Sequence, residues 1–186
     1  WNGDGLGDVG VYRPSIAKFI LKNGTEKTVV AWGLGSDTPV CGDWNGDGLT
    51  DVGVYRPSIA KFILKNATKK TVVPWGLGTD TPVSGDWNGD GLTDVGVYRP
   101  SIQKFILKNG TEKTVVPWGL GTDTPVTGDW NGDGLGDVGV YRPSIQNFIL
   151  KNGTEKTVVQ WGLGTDIPVT GDWNGDGLGD VGVYRP

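Results

Sequence analysis

Histidine and methionine are absent from this 186-residue chain, and cysteine occurs once. Without histidine, no side chain titrates near neutral pH in its ordinary environment, which removes the usual general base and the usual nitrogen ligand for transition metals. Cys41 alone cannot form an internal disulfide. Ser84, Thr127 and Thr170 stand at the equivalent positions of the other copies described below, so Cys41 is expected to be a small strand residue and not a catalytic thiol. No apolar run approaches the ~20 residues of a membrane-spanning helix. The chain opens on Trp1 with neither Met nor a leader, and is expected to be a processed product or an excerpt of something longer.

Glycine and tryptophan are plentiful, at 33 and 9 residues. The formal net charge of −4 is small, but fourteen of the 21 acidic residues sit in five glycine-rich stretches, and the remainder of the chain has a basic surplus. Clustered anions imply a local cationic partner; they exclude a nucleic-acid footprint, and nothing here suggests a general acidic surface.

The string WNGDGL recurs at Trp1, Trp44, Trp87, Trp130 and Trp173, giving a period of 43 residues. That period suits propeller blades or solenoid coils. Between Thr81 and Asp123, four extended segments are bounded by turn residues: PVSGDW (82–87), DVGVYRP (94–100), KFILKN (104–109) and TVVPWG (114–119), with GTEK as the turn before the last. β-branched and aromatic residues dominate, and no segment carries a helical period, so the fold is all-β. The small residues of the first segment suit an innermost strand, and Pro74 and Pro117 place the last at an outer edge, where a missing N–H costs nothing. The division expected is one repeat domain, 1–186, of four-stranded blades at 38–80, 81–123 and 124–166, with partial blades at 1–37 and 167–186. The arrangement is β-propeller-like, with an open or linear array of the same units as the alternative. WNGDGLGDVGVYRP stands at both ends and cannot fill one slot of one ring twice. An open arc, a redundant terminal segment, or pairing of an end with another copy or an adjoining repeat would each resolve that conflict.

DWNGDGLTD places side-chain oxygens at loop positions 1, 3, 5 and 9, a glycine at 6 for the sharp turn and a backbone carbonyl at 7. This is the spacing with which EF-hand-type loops wrap calcium, except that Asp at position 9 arrives before the Glu that a twelve-residue loop would use. The candidate ligands are Asp43, Asn45, Asp47, Leu49 (carbonyl) and Asp51; Asp86, Asn88, Asp90, Leu92 and Asp94; Asp129, Asn131, Asp133, Leu135 and Asp137; Asp172, Asn174, Asp176, Leu178 and Asp180; and an incomplete set of Asn2, Asp4, Leu6 and Asp8. All are hard oxygens, which favours Ca2+ over zinc, copper or iron, and over magnesium with its stricter geometry. The competing reading is that Asp and Asn only form turns. Against it stands the repulsion of three carboxylates in one tight loop.

DWNGDGLTDVGVYRP resembles the FG-GAP repeat, also described among VCBS-type repeats, of integrin α-subunit propellers and many microbial surface proteins. The resemblance implies a β-propeller whose loops bind calcium through the residues just named. Integrin-like propellers generally have seven blades, and this chain has about four.

Asn23, Asn66, Asn109 and Asn152 head Asn-X-Thr sequons at the third turn of each unit and are candidate N-glycosylation sites; Asn-Gly is equally a hairpin turn. Trp32, Trp75, Trp118 and Trp161 in W-G-L-G could stack on sugars with help from Arg56 and its copies, or could pack blade on blade. Arg13, Arg56, Arg99, Arg142 and Arg185 are expected to pair with a carboxylate or cap carbonyls between blades. The GLG stretches lack a P-loop lysine and a following helix, so they do not indicate nucleotide binding. Every plausible acid is duplicated, unlike an active site, and no catalysis is expected. The sequence therefore points to an extracellular, calcium-stabilised structural or adhesive module. A carbohydrate-binding propeller is the alternative, and a domain attached to an enzyme lying elsewhere is the third reading.

Overall fold

A computed structural model describes residues 1–186. Seventeen antiparallel strands form five separate sheets. The first holds β1 (Gly10–Arg13), β2 (Lys18–Asn23) and β3 (Glu26–Ala31). Three complete four-stranded sheets follow: β4 (Thr38–Gly42), β5 (Asp51–Arg56), β6 (Lys61–Asn66) and β7 (Lys69–Pro74); β8 (Thr81–Gly85), β9 (Asp94–Arg99), β10 (Lys104–Asn109) and β11 (Glu112–Pro117); β12 (Thr124–Gly128), β13 (Asp137–Arg142), β14 (Asn147–Asn152) and β15 (Glu155–Gln160). The last has only β16 (Ile167–Gly171) and β17 (Asp180–Tyr184). Strand order in each full sheet follows chain order, so each is a meander. The sheets are the blades of a β-propeller, with strands for four blades and one over.

The chemistry of each segment sets its place. The innermost strands β4, β8, β12 and β16 lie side by side, and their short side chains permit that approach. Ser84 Oγ donates to the Cys41 carbonyl, Thr127 Oγ1 to Ser84 and Thr170 Oγ1 to Thr127, at 2.7–2.8 Å, so a ladder of hydroxyls ties each inner strand to the one before. Pro74 and Pro117 end β7 and β11, which are outer edge strands.

Period-2 alternation sends the two faces of each blade into different interfaces. Val40, Tyr55, Phe62 and Leu64 of one blade pack on Val95 and Val97 of the next, and the same set recurs one period on. Tyr55, Phe62, Val54 and Val97 are wholly buried. Tyr and Phe also pair across strands, as in Tyr55 and Phe62 with ring centroids 4.8 Å apart, a geometry worth about 0.5–1.5 kcal/mol beyond area burial. Gly53 lies in this face because a Cβ there would come within 2.8 Å of Leu64 Cδ2.

The third turn is shorter than GTEK suggested. Asn109 sits opposite Glu112, so the turn is Gly110–Thr111 and Glu112 and Lys113 belong to β11. Gly110 adopts φ 53°, the conformation that two-residue hairpins of this kind demand at their first turn position. In the second unit Ala67 is held there at φ 45°. A Cβ in that region costs about 1 kcal/mol or more. Ala67→Gly is therefore expected to raise unfolding stability by about 1 kcal/mol, read as an increase in the urea midpoint at unchanged slope; an unchanged or lower midpoint contradicts the strain.

Candidate metal centres and the joints between blades

The five acidic loops lie at one end of the propeller; four of them join the innermost strand of a blade to the second, and the first, at Trp1, leads into β1. Gly46 and Gly48, at φ 76° and 79°, let the second loop fold back on its own first residue. Asp43 uses both carboxylate oxygens on the loop backbone: Oδ1 accepts from Gly46 N at 2.7 Å and Oδ2 from Gly48 N at 2.8 Å. Asn45 Oδ1 accepts from Asp47 N, Asn45 Nδ2 donates to Asp47 Oδ2, and Asp47 Oδ1 accepts from Leu49 N. Asp86, Asp129 and Asp172 repeat the first pattern on Gly89 and Gly91, Gly132 and Gly134, and Gly175 and Gly177. Asn2 and Asp4 repeat the second in the incomplete first loop.

Position 9 differs. Asp51, Asp94 and Asp137 begin second strands, and each has one buried carboxylate oxygen, Oδ2, with no hydrogen-bond partner. A buried acceptor left unmatched costs about 1–3 kcal/mol, and more if charged. Burial, reinforced by the Asp90 and Asp86 charges, pushes the Asp94 carboxyl up to about 6. Asp137 is pushed to the same value, again chiefly by burial. Asp51 shifts in the same direction through burial and then the Asp47 charge. Asp8 and Asp180 are matched instead, by the Trp1 amino group at 2.7 Å and by Trp173 N at 3.1 Å.

The side chains of positions 1, 3 and 5 thus face their own loop's amides, and no three acids converge into a finished cation cage as they stand. The residues present nevertheless suit a hard cation: every donor is an oxygen, three carboxylates crowd each full loop, and the position-9 oxygen lacks a counterpart.

The loops also contact one another. Thr93 N donates to the Asp43 carbonyl, Gly136 N to Asp86, Gly179 N to Asp129 and Gly7 N to Asp172, at 2.5–2.8 Å. Leu92 covers Gly46, where an added Cβ would lie 2.9 Å from its Cδ2; Leu135, Leu178, Leu6 and Leu49 cover Gly89, Gly132, Gly175 and Gly3 in the same way. The loop at Trp1 therefore follows the loop at Trp173, and the five loops form a closed circle.

The sequon residues Asn23, Asn66, Asn109 and Asn152 end β2, β6, β10 and β14. The last three receive Nδ2 of Asn45, Asn88 and Asn131 on their Oδ1 atoms, at 2.6–2.8 Å, so they brace the acidic loops from the outer hairpin.

W-G-L-G proves to be a joint between blades. Trp32, Trp75 and Trp118 are half-buried, and their indole N–H groups donate to the Ile63, Ile106 and Ile149 carbonyls of the next blade at 3.0 Å. Tyr55 Oη donates to the Leu77 carbonyl and Leu77 N to Asp80 Oδ2, which fixes the loop between blades. Asp37, Asp80, Asp123 and Asp166 are the buried acids of the fold, and each takes a two-pronged ion pair from Arg56, Arg99, Arg142 and Arg185 at 2.7–2.9 Å. Carboxylate pairing was expected of these arginines, but the acid partner was not singled out. Its signal was available: Asp at these positions recurs with the same period, outside the acidic loops. Arg13 has no such acid.

No family model matches the chain, and no curated protein matches it. Solved structures do. A crystal structure of BBS1N in complex with ARL6DN, soaked with mercury, aligns at a TM-score of 0.50 and 12% identity over 86% of this chain and 51% of that one. Its lead-soaked counterpart aligns at 0.47 and 15%, covering 85% and 53%. The likeness is one of fold. This chain spans about half the length of those propeller chains. No helix is long and apolar enough to cross a membrane.

Proposed function

We propose that the chain is a calcium-stabilised propeller module of FG-GAP or VCBS type, serving as a structural or adhesive element of an extracellular surface protein or filament, with no catalysis of its own. The observation that carries this reading is the orphaned buried oxygen of Asp51, Asp94 and Asp137, in loops that already hold two further carboxylates. A divalent cation gives that oxygen its missing partner and offsets the burial, and then the carboxylate repulsion, that raise its proton affinity. Asp43, Asn45, Asp47, Asp51 and the Leu49 carbonyl, with their counterparts in the other loops, are the residues that would hold it. Weak loops of this class need the calcium concentrations found outside cells, which supports the surface address. An adhesive role accords with the use of a similar fold in BBS1N, whose structure is a complex with another protein. Sugar stacking has less support: three of the four W-G-L-G tryptophans spend their N–H groups between blades.

Isothermal titration with CaCl2 tests the reading. At least three calcium ions are expected to bind per chain, with magnesium much weaker, and Asp90→Asn together with Asp94→Asn is expected to remove one of them. No uptake at millimolar calcium, in a chain shown to be folded, overturns it.

A further inference from the structure

The closed circle of loops has five members, but the blades beneath it are incomplete at one joint. Where the two-stranded sheet meets the three-stranded one, residues whose equivalents in the full blades are buried lie open. Val9 and Val11 are 56% and 46% exposed, against 4% and 0% for their equivalents Val52 and Val54. Across the joint, Val169 and Tyr184 are 38% and 51% exposed, against 8% and 0% for Val40 and Tyr55. Trp161 is 57% exposed, and its indole has no carbonyl to meet, because a third strand beside β17 would supply it. Shallow cavities mark both walls, one lined by Trp161, Val183 and Arg185, the other by Val9, Val11 and Ile20.

The other units show what covers such a joint: a third strand carrying Phe and Leu toward the valines of the next blade, a fourth strand, and then that blade's inner strand. Pro186 is equivalent to Pro57 and Trp1 to Trp87, so all three missing strands fall in one stretch, the counterpart of Ser58–Asp86, 29 residues long.

We propose that this wedge is a docking site for one further repeat segment of the Ser58–Asp86 type, which pairs with the free edges of β17 and β1 and completes the fifth joint. Three observations carry it: continuity with the four joints already built, exposure at the two walls of valines and a tyrosine whose equivalents between the full blades are buried, and a loop circle that fixes the spacing of the walls. A second copy of this chain is the poorer occupant, because each of its segments of this type is already engaged in its own blades. The inference rests on blade packing and is independent of calcium.

Hydrogen exchange on the full chain, in saturating calcium, tests it in two arms: a synthetic peptide of sequence Ser58–Asp86 added in trans, and the chain extended at Pro186 by the same 29 residues. A scrambled segment is the control in each. The matching segment is expected to slow exchange at Gly10 and Tyr12 of β1 and at Val181 and Val183 of β17, whose amides face the free edges, by at least about tenfold in one arm or both, while the protein stays monomeric in sedimentation. Equal exchange with matching and scrambled segments in both arms overturns the proposal. So does a concentration-dependent dimer of the unextended chain in which those amides are already slow, since that makes a second copy the occupant. Because the peptide arm leaves the chain itself unchanged, misfolding of the extended chain does not blunt the test, and intact calcium uptake alongside failed docking separates this inference from the proposed function.

Discussion

EGTA is expected to lower the thermal midpoint of this protein by on the order of 20 °C or more, with full recovery on adding excess calcium, followed by circular dichroism. If free calcium exceeds the dissociation constant by ~100-fold, each site contributes about 2.7 kcal/mol to the folded state. Four full loops then contribute roughly 10 kcal/mol, as much as the whole stability of an ordinary domain. For a chain of this size each kcal/mol moves the midpoint by about 2–4 °C. The formal charge would move from −4 to +4 as four divalent ions bind, so the depleted protein also carries uncompensated repulsion in each loop. Four of the loops join the inner two strands of a blade, and all five touch one another in a circle, so loosening them weakens all the blades together. A melting curve indifferent to EGTA would leave the position-9 carboxylates without the role proposed for them.

Removing one arginine from the joints should cost less than removing the ions, but more than an ordinary surface substitution. Arg99→Ala strands Asp80, whose side chain is fully buried, as an unpaired charge. Breaking a buried pair from one side costs about 3–5 kcal/mol, and partial exposure of Arg99 places this case toward the lower end. The chain contains its own controls. The Arg185 side chain is 59% exposed, against 23% for Arg99, so Arg185→Ala should cost less, and Arg13→Ala, which breaks no pair, least of all. Urea midpoints of the three variants should fall in that order. Equal losses would show that Asp80 finds another partner or that the arginine acts by packing alone.

The strand plan was legible because each segment advertises its position: the small residues of Pro82–Gly85 mark the crowded inner place and Pro117 the outer edge. Val95 and Val97 alternate with Gly96 and Tyr98, as a strand packed on both faces requires. Less could be read of the joints. Asp80 and Arg99 lie 19 residues apart, on a loop and at a strand end, and no short-range pattern links them. The acidic loops were legible in composition but not in posture. Spacing brings Asp86, Asp90 and Asp94 into one loop; whether Asp86 faces a cation or the amides of Gly89 and Gly91 depends on what else competes for its oxygens. Nor could the duplicate ends reveal that Leu6 would settle over Gly175, because that contact depends on how the blades curve together.

The hydroxyl ladder along the inner strands has an evolutionary corollary. Its rungs join residues 43 positions apart, each to the same kind of atom in the neighbouring copy. A gene that gained or lost one whole copy by slippage between near-identical stretches would therefore encode a product in which every surviving rung finds an equivalent mate. Changes of length in whole units are structurally mild, whereas an insertion of a few residues inside β8 or β12 would throw the rungs out of step. The ladder thus tolerates whole-unit changes, while the closure of the loop circle at Leu6 over Gly175 sets how many units fit.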